Sequence, residues 1–443
     1  MTDVANNEFA QLPLRRFIRD IVDGPFGSSL TSSHYSDEGA RVIRLGNIGA
    51  AHFKDGDAAY IPLEYFKHLR QHEVSPGDLI IAGLGDANHP VGRACVAPAH
   101  LGLAIVKADC FRARLDEDRL SHRYTAWALS SSFVSSQVQT LTRGSTRARI
   151  NLDVAREIQV PTPSLLEQRR IADFLDAETA RIDRLSQLRR TQASKLEERY
   201  TTAISELTTP GITSADKRHP NWPWLPASTP TTRLGYLAQV QSGVTVHGAR
   251  ERSSDDAEFP YLRVANVQGE RVDLSEIKTI VIPRAMARRS TLRAGDVVMT
   301  EANGNPDNLG RGAVWNGEIE GMVHQNHVFA IRADQEKLLP GYLSILLATV
   351  HGRRYFRFTS TQVGIATTSS SKVLDFPIPV LDLEQQRSVV NEYKNLWRSM
   401  ERVRDALSRQ LNLLAERRQA LITAAVTGQF DVSTASGRGV ESP

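Results

Sequence analysis

Cysteine is almost missing: Cys95 and Cys110 are the only two in 443 residues. Two thiols make neither a disulfide framework nor a zinc cluster, and a reducing compartment is the simple inference. Long apolar runs are missing too. The longest, 341–350 (GYLSILLATV), falls well short of the roughly 20 residues a membrane span needs and reads as a buried helix. Residues 1–10 are polar and acidic, which does not suit a secretion signal, so no membrane contact is expected. There is no Gly-x-x-x-x-Gly-Lys-Ser/Thr loop to cradle nucleotide phosphates, and no His/Cys cluster with metal-ligand spacing. Net charge is slight, +4 with a pI of about 9.0, so where the arginines fall matters more than their sum. The remainder, 41% hydrophobic and 23% charged, is ordinary for a globular chain of two or three domains.

What is present is a repetition, at a spacing of about 218 residues. Phe17-Ile18, Ile21 and Gly24 answer Tyr236-Leu237, Val240 and Gly243; the segment 42–48 (VIRLGNI) answers 261–267 (YLRVANV). Gly77-Asp78 matches Gly295-Asp296, Gly92-Arg93 matches Gly310-Arg311, and Asp116, Leu120 and Tyr124 match Asp334, Leu338 and Tyr342. Each copy closes on Pro161-Thr162-Pro163 with Leu166-Glu167-Gln168, or Pro377-Ile378-Pro379 with Leu383-Glu384-Gln385. This spacing far exceeds the roughly 20 to 50 residues of solenoid and propeller repeats. A whole domain with a rod attached has been duplicated.

Each head reads as mixed α/β. Strand-length runs lie at 41–48, 78–82, 110–115, 261–267, 296–300 and 327–331, with helices at 120–131 and 340–350. The rods are different in kind. Residues 164–208 and 383–427 lack internal Pro and Gly and are built from strong helix formers, at several times the usual helix length. Leu396, Met400, Val403, Leu407, Leu414 and Leu421 fall close to a 3.5-residue spacing, a coiled-coil seam. Ile171, Leu175, Ile182, Leu185 and Leu196 form a more broken seam on the first rod. Ser164 before Glu167, and Asp382 before Glu384-Gln385, are suitable caps.

Packing the two stripes on each other in the order head, rod, head, rod yields mixed α/β architecture with pseudo-twofold internal duplication: two globular domains separated by two long antiparallel coiled-coil helices. The expected boundaries are 1–163 (first head), 164–208 (first rod), 209–232 (an extended, proline-rich linker with Trp222 and Trp224), 233–380 (second head), 381–428 (second rod) and 429–443 (flexible tail). A rod of about 40 to 45 residues spans roughly 60 to 68 Å, comparable to one or two turns of duplex DNA.

The head-rod-head-rod order, the 23–29 opening (DGPFGSS), the 42–48 segment and the twin Pro-x-Pro and Glu-Gln signatures together resemble the specificity subunit of type I restriction-modification systems. The resemblance covers about 14–430. It implies two target recognition domains, each reading half of a bipartite DNA sequence, and helices that set the gap and dock two methyltransferase subunits. It further implies a motor-endonuclease subunit in the full complex, S-adenosylmethionine, ATP and Mg carried by those partners rather than by this chain, and a bacterial or archaeal cytoplasm. The second copy departs from the first by one extra residue between Pro-x-Pro and Glu-Gln, and places Ser388 where the first has Ile171.

Candidate DNA contacts lie just before each rod. The stretch 142–150 (TRGSTRARI) carries Arg143, Ser145, Thr146, Arg147 and Arg149; its expected counterpart, 353–372, carries Arg353, Arg354, Arg357, Gln362 and Lys372. Arginine forks suit guanine edges or phosphates, and small hydroxyls admit close phosphate approach; solvated surface loops would have the same composition. Tyr355, Phe356 and Phe358 between them read as core aromatics. Arg44 and Arg263, with Asn47 and Asn266, hold matching places and are expected to serve the frame.

Signs of catalysis are fragmentary. Gly83-Leu84-Gly85-Asp86 lacks the third glycine of a dinucleotide loop, and Asn305-Pro306-Asp307-Asn308 lacks the second proline and the aromatic ring that hold a flipped base. His324 and His327 have no evident carboxylate or nucleophile partner, so a structural or surface role is expected. A non-catalytic recognition subunit is therefore the leading reading, ahead of a stand-alone DNA-modifying enzyme with a divergent site and a coiled-coil scaffold that binds proteins.

Overall fold

The computed structural model describes residues 9–86, 89–141, 148–245, 254–361 and 365–435. The chain divides into two compact units, Met1–Arg189 with Arg409–Pro443, and Arg190–Ser408. Two long helices, Leu165–Thr208 and Leu383–Thr427, contribute one half to each unit. Each starts at a polar cap. Ser164 Oγ accepts the Glu167 N–H at 3.3 Å, while Asp382 and Gln385 cap each other reciprocally at 2.8 and 3.0 Å.

In the first unit, an antiparallel sheet runs in the order Ile18–Asp23, Cys110–Leu115, Leu79–Ala82, Ala94–Val96. A second sheet joins Tyr60–Ile61, Ala40–Ile43, Ala104–Val106 and Glu73–Val74, its central pair parallel. Helix His122–Leu129 buries nearly its whole length in the core. The same core takes in Ile171, Ala172 and Leu175 from the start of the first long helix, and Ile422, Ala425 and Val426 from the end of the second. Phe174 meets Phe430, and Arg418 reaches Asp183 at 3.1 Å, so the two helix segments run antiparallel within this unit.

The second unit repeats the plan: Ala238–Ser242, Val328–Ala333, Val297–Thr300, Gly312–Val314 in one antiparallel sheet, and Lys278–Pro283, Asp256–Leu262, Val323–His324 in the other. Its helix Pro340–Ala348 is apolar on nearly all sides because its surroundings are core; this is the run read as a buried helix from the sequence. Tyr200 of the first long helix sits edge-on to Trp397 of the second, at 6.0 Å.

The strand ladders correct the sequence register. Gln11–Pro13 pairs with Gln159–Pro161, and Thr231–Arg233 with Pro377–Pro379 in the same antiparallel frame. Pro161 therefore corresponds to Pro379, not to Pro377. Gln168 corresponds to Gln386, and Ile171 to Val389, which is buried like it, so neither the extra residue nor the Ser388 substitution exists. Near the start of the first head a bulge between Ile18 and Asp20, which the equivalent ladder of the second head lacks, accounts for the one-residue change in spacing. Gly24 and Gly243 are equivalent. A Cβ at either would lie within 2.2 Å of a neighbouring carbonyl oxygen, of Lys107 or His324, which explains why both copies have glycine.

The seam residues divide. Ile171, Leu175, Ile182, Met400 and Leu407 are buried, Leu196, Leu396, Leu414 and Leu421 partly so. Leu185 and Val403 remain 41% and 45% exposed, at equivalent places on the two helices. Ile171 and Leu175 are covered by head side chains as well as helix, so the seam is not purely coiled coil. The stretch 209–232 is not an extended strap: Leu225 and Trp224 are buried, and Trp222 packs edge-on to Tyr355 at 5.2 Å. Past the second long helix, Val432 is buried in the first unit's core. The 41–48 and 261–267 strands end earlier than expected, at Ile43 and Leu262, and each gives way to a tight turn, Leu45–Asn47 or Val264–Asn266.

Candidate nucleic-acid interface

The frame of each head is built first, from a few buried polar groups used twice. Asn47 accepts the Arg44 N–H at 2.9 Å and donates to the carbonyls of Lys54 and Gly56 at 2.9 and 2.8 Å. Asn266 does the same with Arg263, Asp273 and Glu276 at 2.9, 2.9 and 3.0 Å. Every hydrogen-bonding position that counts in this amide is filled, as its burial requires. Asp78 and Asp296 each receive a guanidinium from the central strand, Arg114 or Arg332, with both Nε contacts at 2.8 Å. These shared pairs follow glycines at φ +91° and +92°, Gly77 and Gly295. They hold the frame.

Next to the frame, a short ribbon lifts the candidate loop in each unit. In the first, Leu84 bridges Arg149, with Ile150 N–H donating to the Gly83 carbonyl at 2.9 Å. In the second, Ala302–Asn303 pairs with Ala366–Thr367. The counterpart of 142–150 is therefore 360–368, not 353–372. Asn151 and Ser369 cap the next short helix in each copy, accepting the N–H of Val154 and Lys372.

Arg143, Ser145, Thr146, Arg147 and Gln362 lie outside the described residues. Arg149 is described: its Nε meets Asp109 at 2.8 Å and its guanidinium lies 5.8 Å from the centre of the Phe26 ring, which is itself 44% exposed. Asp23 and Phe26 of the opening and Arg149 and Ile150, far apart in sequence, thus share one recess with Asp109 and Asn151. The arginine over the Phe26 ring is a cation–π arrangement that only the fold reveals.

In the second unit, Arg353, Arg354 and Arg357 stand exposed on helix Val350–Thr359 rather than in a loop. Arg357 pairs with Asp307 at 2.9 Å. Lys372, half-buried, donates to the Thr359 carbonyl and so is a strut of the frame. Tyr355 and Phe356 are buried as expected, whereas Phe358 is 74% exposed, set edge-on to Trp224 at 6.0 Å. The arginines and Phe358 share a helix whose inner face is aromatic core.

The histidines are also separated by the fold. His324 is fully buried, its Nδ1 2.6 Å from the Val328 carbonyl, and burial depresses its pKa. His327 is exposed and does have a carboxylate partner, Glu301 at 3.2 Å, which the sequence did not reveal because Glu301 lies on a neighbouring strand end. Residues 306–308 form a single turn capped by Asn305. Among the described residues no group of three or more His, Cys, Asp or Glu could hold a metal ion, and no helix is long and apolar enough to cross a membrane. Burial raises both thiols, Cys95 and Cys110, to about 12, so neither is a ready nucleophile.

Comparison with known proteins follows the same lines. The family model for the type I restriction modification DNA specificity domain matches residues 86–194. The type I restriction enzyme StySPI specificity subunit of Salmonella potsdam is 24% identical over 407 residues, covering 90% of this chain and 84% of the relative. The EcoKI specificity subunit of Escherichia coli (strain K12) is 22% identical over 410 residues, with the same two coverages, 90% and 84%. A chain from a solved structure concerning complex assembly and conformational transition of the type I R-M system has the same fold, with a TM-score of 0.68 at 16% identity, over 96% of this chain and 99% of that one.

Proposed function

We propose that this chain, a relative of the type I restriction-modification specificity subunits, is the non-catalytic DNA-recognition subunit of such a complex, with each head reading one half of a bipartite target. The observation that carries this is the contrast within the duplication. The buried frame groups repeat residue for residue, Asn47 with Asn266 and Asp78 with Asp296, while the ribbon does not: Arg149 in one copy corresponds to Thr367 in the other. One scaffold with two differing surfaces suits two different half-sequences. Arg149, Arg353, Arg354 and Arg357 are the described residues assigned to DNA; Arg143, Ser145, Thr146, Arg147 and Gln362 are assigned with them from sequence.

The long helices act as the ruler and as the dock for two methyltransferase subunits. The matched exposure of Leu185 and Val403 is what docking at two equivalent places would use, one apolar side chain at the same position of each helix. The partners supply S-adenosylmethionine, ATP and Mg, and a motor-endonuclease subunit completes the complex in the cytoplasm.

Methylome sequencing of a host carrying this chain with its methyltransferase tests the reading. The expected result is one motif made of two unrelated half-sequences at a fixed gap. An uninterrupted motif, or methylation by the isolated chain with S-adenosylmethionine alone, would overturn it.

A further inference from the structure

Within the second unit a cavity of ≈ 310 Å³ opens beside the long helices, and the corresponding part of the first unit is built differently. Its lining includes Arg311, Arg353, Glu270, Asp307, Trp397 and Met400. The key contrast is between Arg311 and its counterpart Arg93. Arg93 is buried and donates to the carbonyls of Ile48, Leu45, Pro90, His89 and Leu84 at 2.9 to 3.3 Å, so its whole fork is consumed by the fold. Arg311 makes no such side-chain contact among the described residues. It lines the same cavity as Arg353, and its burial, with the charge of Arg353 adding to it, depresses the Arg311 pKa.

Two guanidiniums facing one cavity repel each other unless an anion bridges them. Most other charges of the cavity are already engaged, and the exposed Glu197 also lines it, close enough to Glu270 to act on its charge. Arg404 and Arg271 both face Glu401, at 3.2 and 3.9 Å, and Asp307 is taken by Arg357 at 2.9 Å. Glu270 is a carboxylate that feels the charge of Arg353. It is held by the Tyr200 hydroxyl at 2.7 Å, and burial keeps its pKa above the ordinary range, which weakens it as a counter-charge. It stands at φ +68° where the first unit has Ala51 at φ +61°, so the acidic group is an addition peculiar to this copy.

We propose that Arg311 and Arg353 form a phosphate site at the mouth of this cavity, the two guanidiniums clamping one phosphate group while Trp397 and Met400 offer an apolar floor to whatever carries it. Paired arginine forks match the geometry of a tetrahedral oxyanion better than any other side-chain pair. The phosphate can come from a free nucleotide or from the backbone of duplex DNA. The site shares Arg353 with the DNA-reading role proposed above, and free phosphate and AMP probe it in the absence of DNA, so the two can fail separately.

The test is calorimetric titration of the full chain with inorganic phosphate, with AMP, and with AMP in the presence of a short duplex of arbitrary sequence. Saturable binding is expected, weakened about 10-fold by Arg353→Gln or Arg311→Gln, as loss of one charged hydrogen-bonding group implies. Arg288→Gln, an exposed arginine elsewhere in the same unit, leaves it unchanged. Arg353 is exposed, so its variant folds even if the Arg311 variant does not. Displacement of AMP by duplex assigns the phosphate to DNA, and its persistence assigns it to a free nucleotide; both support the site. No saturation with any probe, or binding unaltered by Arg353→Gln, overturns it.

Discussion

His351 shows how much one buried side chain can bind together. It is fully buried, accepts the Trp224 indole N–H at 2.9 Å through Nδ1, donates through Nε2 to the Pro377 carbonyl at 2.6 Å, and stacks on Phe376 at 4.9 Å. Its three neighbours come from the 209–232 stretch and from the segment leading into the second long helix. Both ring nitrogens are satisfied only in the neutral form, and burial pushes the pKa down to about 4 from 6.5, with His219 adding a smaller push the same way. The unfolded chain therefore takes up a proton first as pH falls. Stability from this group is complete above pH 6.5 and is lost as pH falls toward 4, by about 3 kcal/mol in all. Urea unfolding of wild type and His351→Gln, followed by tryptophan fluorescence, should show the wild-type advantage shrinking across that window. A pH-independent difference would refute the assignment. The sequence offered no sign of this group, because its partners lie 127 and 26 positions away.

The start of each long helix is tied to its head by one glutamine. Gln168 accepts the Ser121 N–H at 2.9 Å and donates to the carbonyls of Arg119 and Pro163, both at 3.0 Å. Gln386 repeats this with Leu339 at 2.8 Å, Lys337 at 3.0 Å and Leu381 at 2.9 Å. Gln168→Ala should speed hydrogen exchange at the Ser121 amide about 10-fold and leave Leu339 untouched; Gln386→Ala should do the reverse. Equal effects at both amides would mean that the two helix starts are not independent. The duplication, the helices and the asparagine frame were legible in the sequence because periodicity and buried amides leave strong local marks. The register at these helix starts was not. Proline suits any edge position whose N–H points away from the partner strand, so the Pro-x-Pro pattern fits two registers two residues apart, and only the ladder of Thr231–Arg233 with Pro377–Pro379 selects one. The placement of Arg353 on a helix was hidden for a related reason: a basic, hydroxyl-rich composition is common to loops and helix faces, and only the spacing against the buried Tyr355 and Phe356 marks the helix.

If the long helices are the ruler, the gap between half-sequences must follow their length and nothing else. The first is 44 residues and the second 45, each unbroken by Pro or Gly. Removing four residues from each, within 186–192 and 404–410, takes out the buried Leu407 but leaves both heads, both glutamine ties and the buried helix residues Ile171, Ile182, Ile204 and Ile422 in place. Four residues shorten a helix by about 6 Å and turn it by about 400°, a net rotation of about 40°. That distance is about two base pairs. The methylated motif should therefore keep both half-sequences and lose about two base pairs of gap. Deleting from one helix alone would put the two stripes out of register and should lower stability rather than reset the gap, because each buried apolar side chain would face a polar one. A change in either half-sequence would mean that the heads do not read independently. An unchanged gap with a shortened pair of helices would mean that the spacing is set elsewhere, and the ruler would be lost while the recognition heads remained.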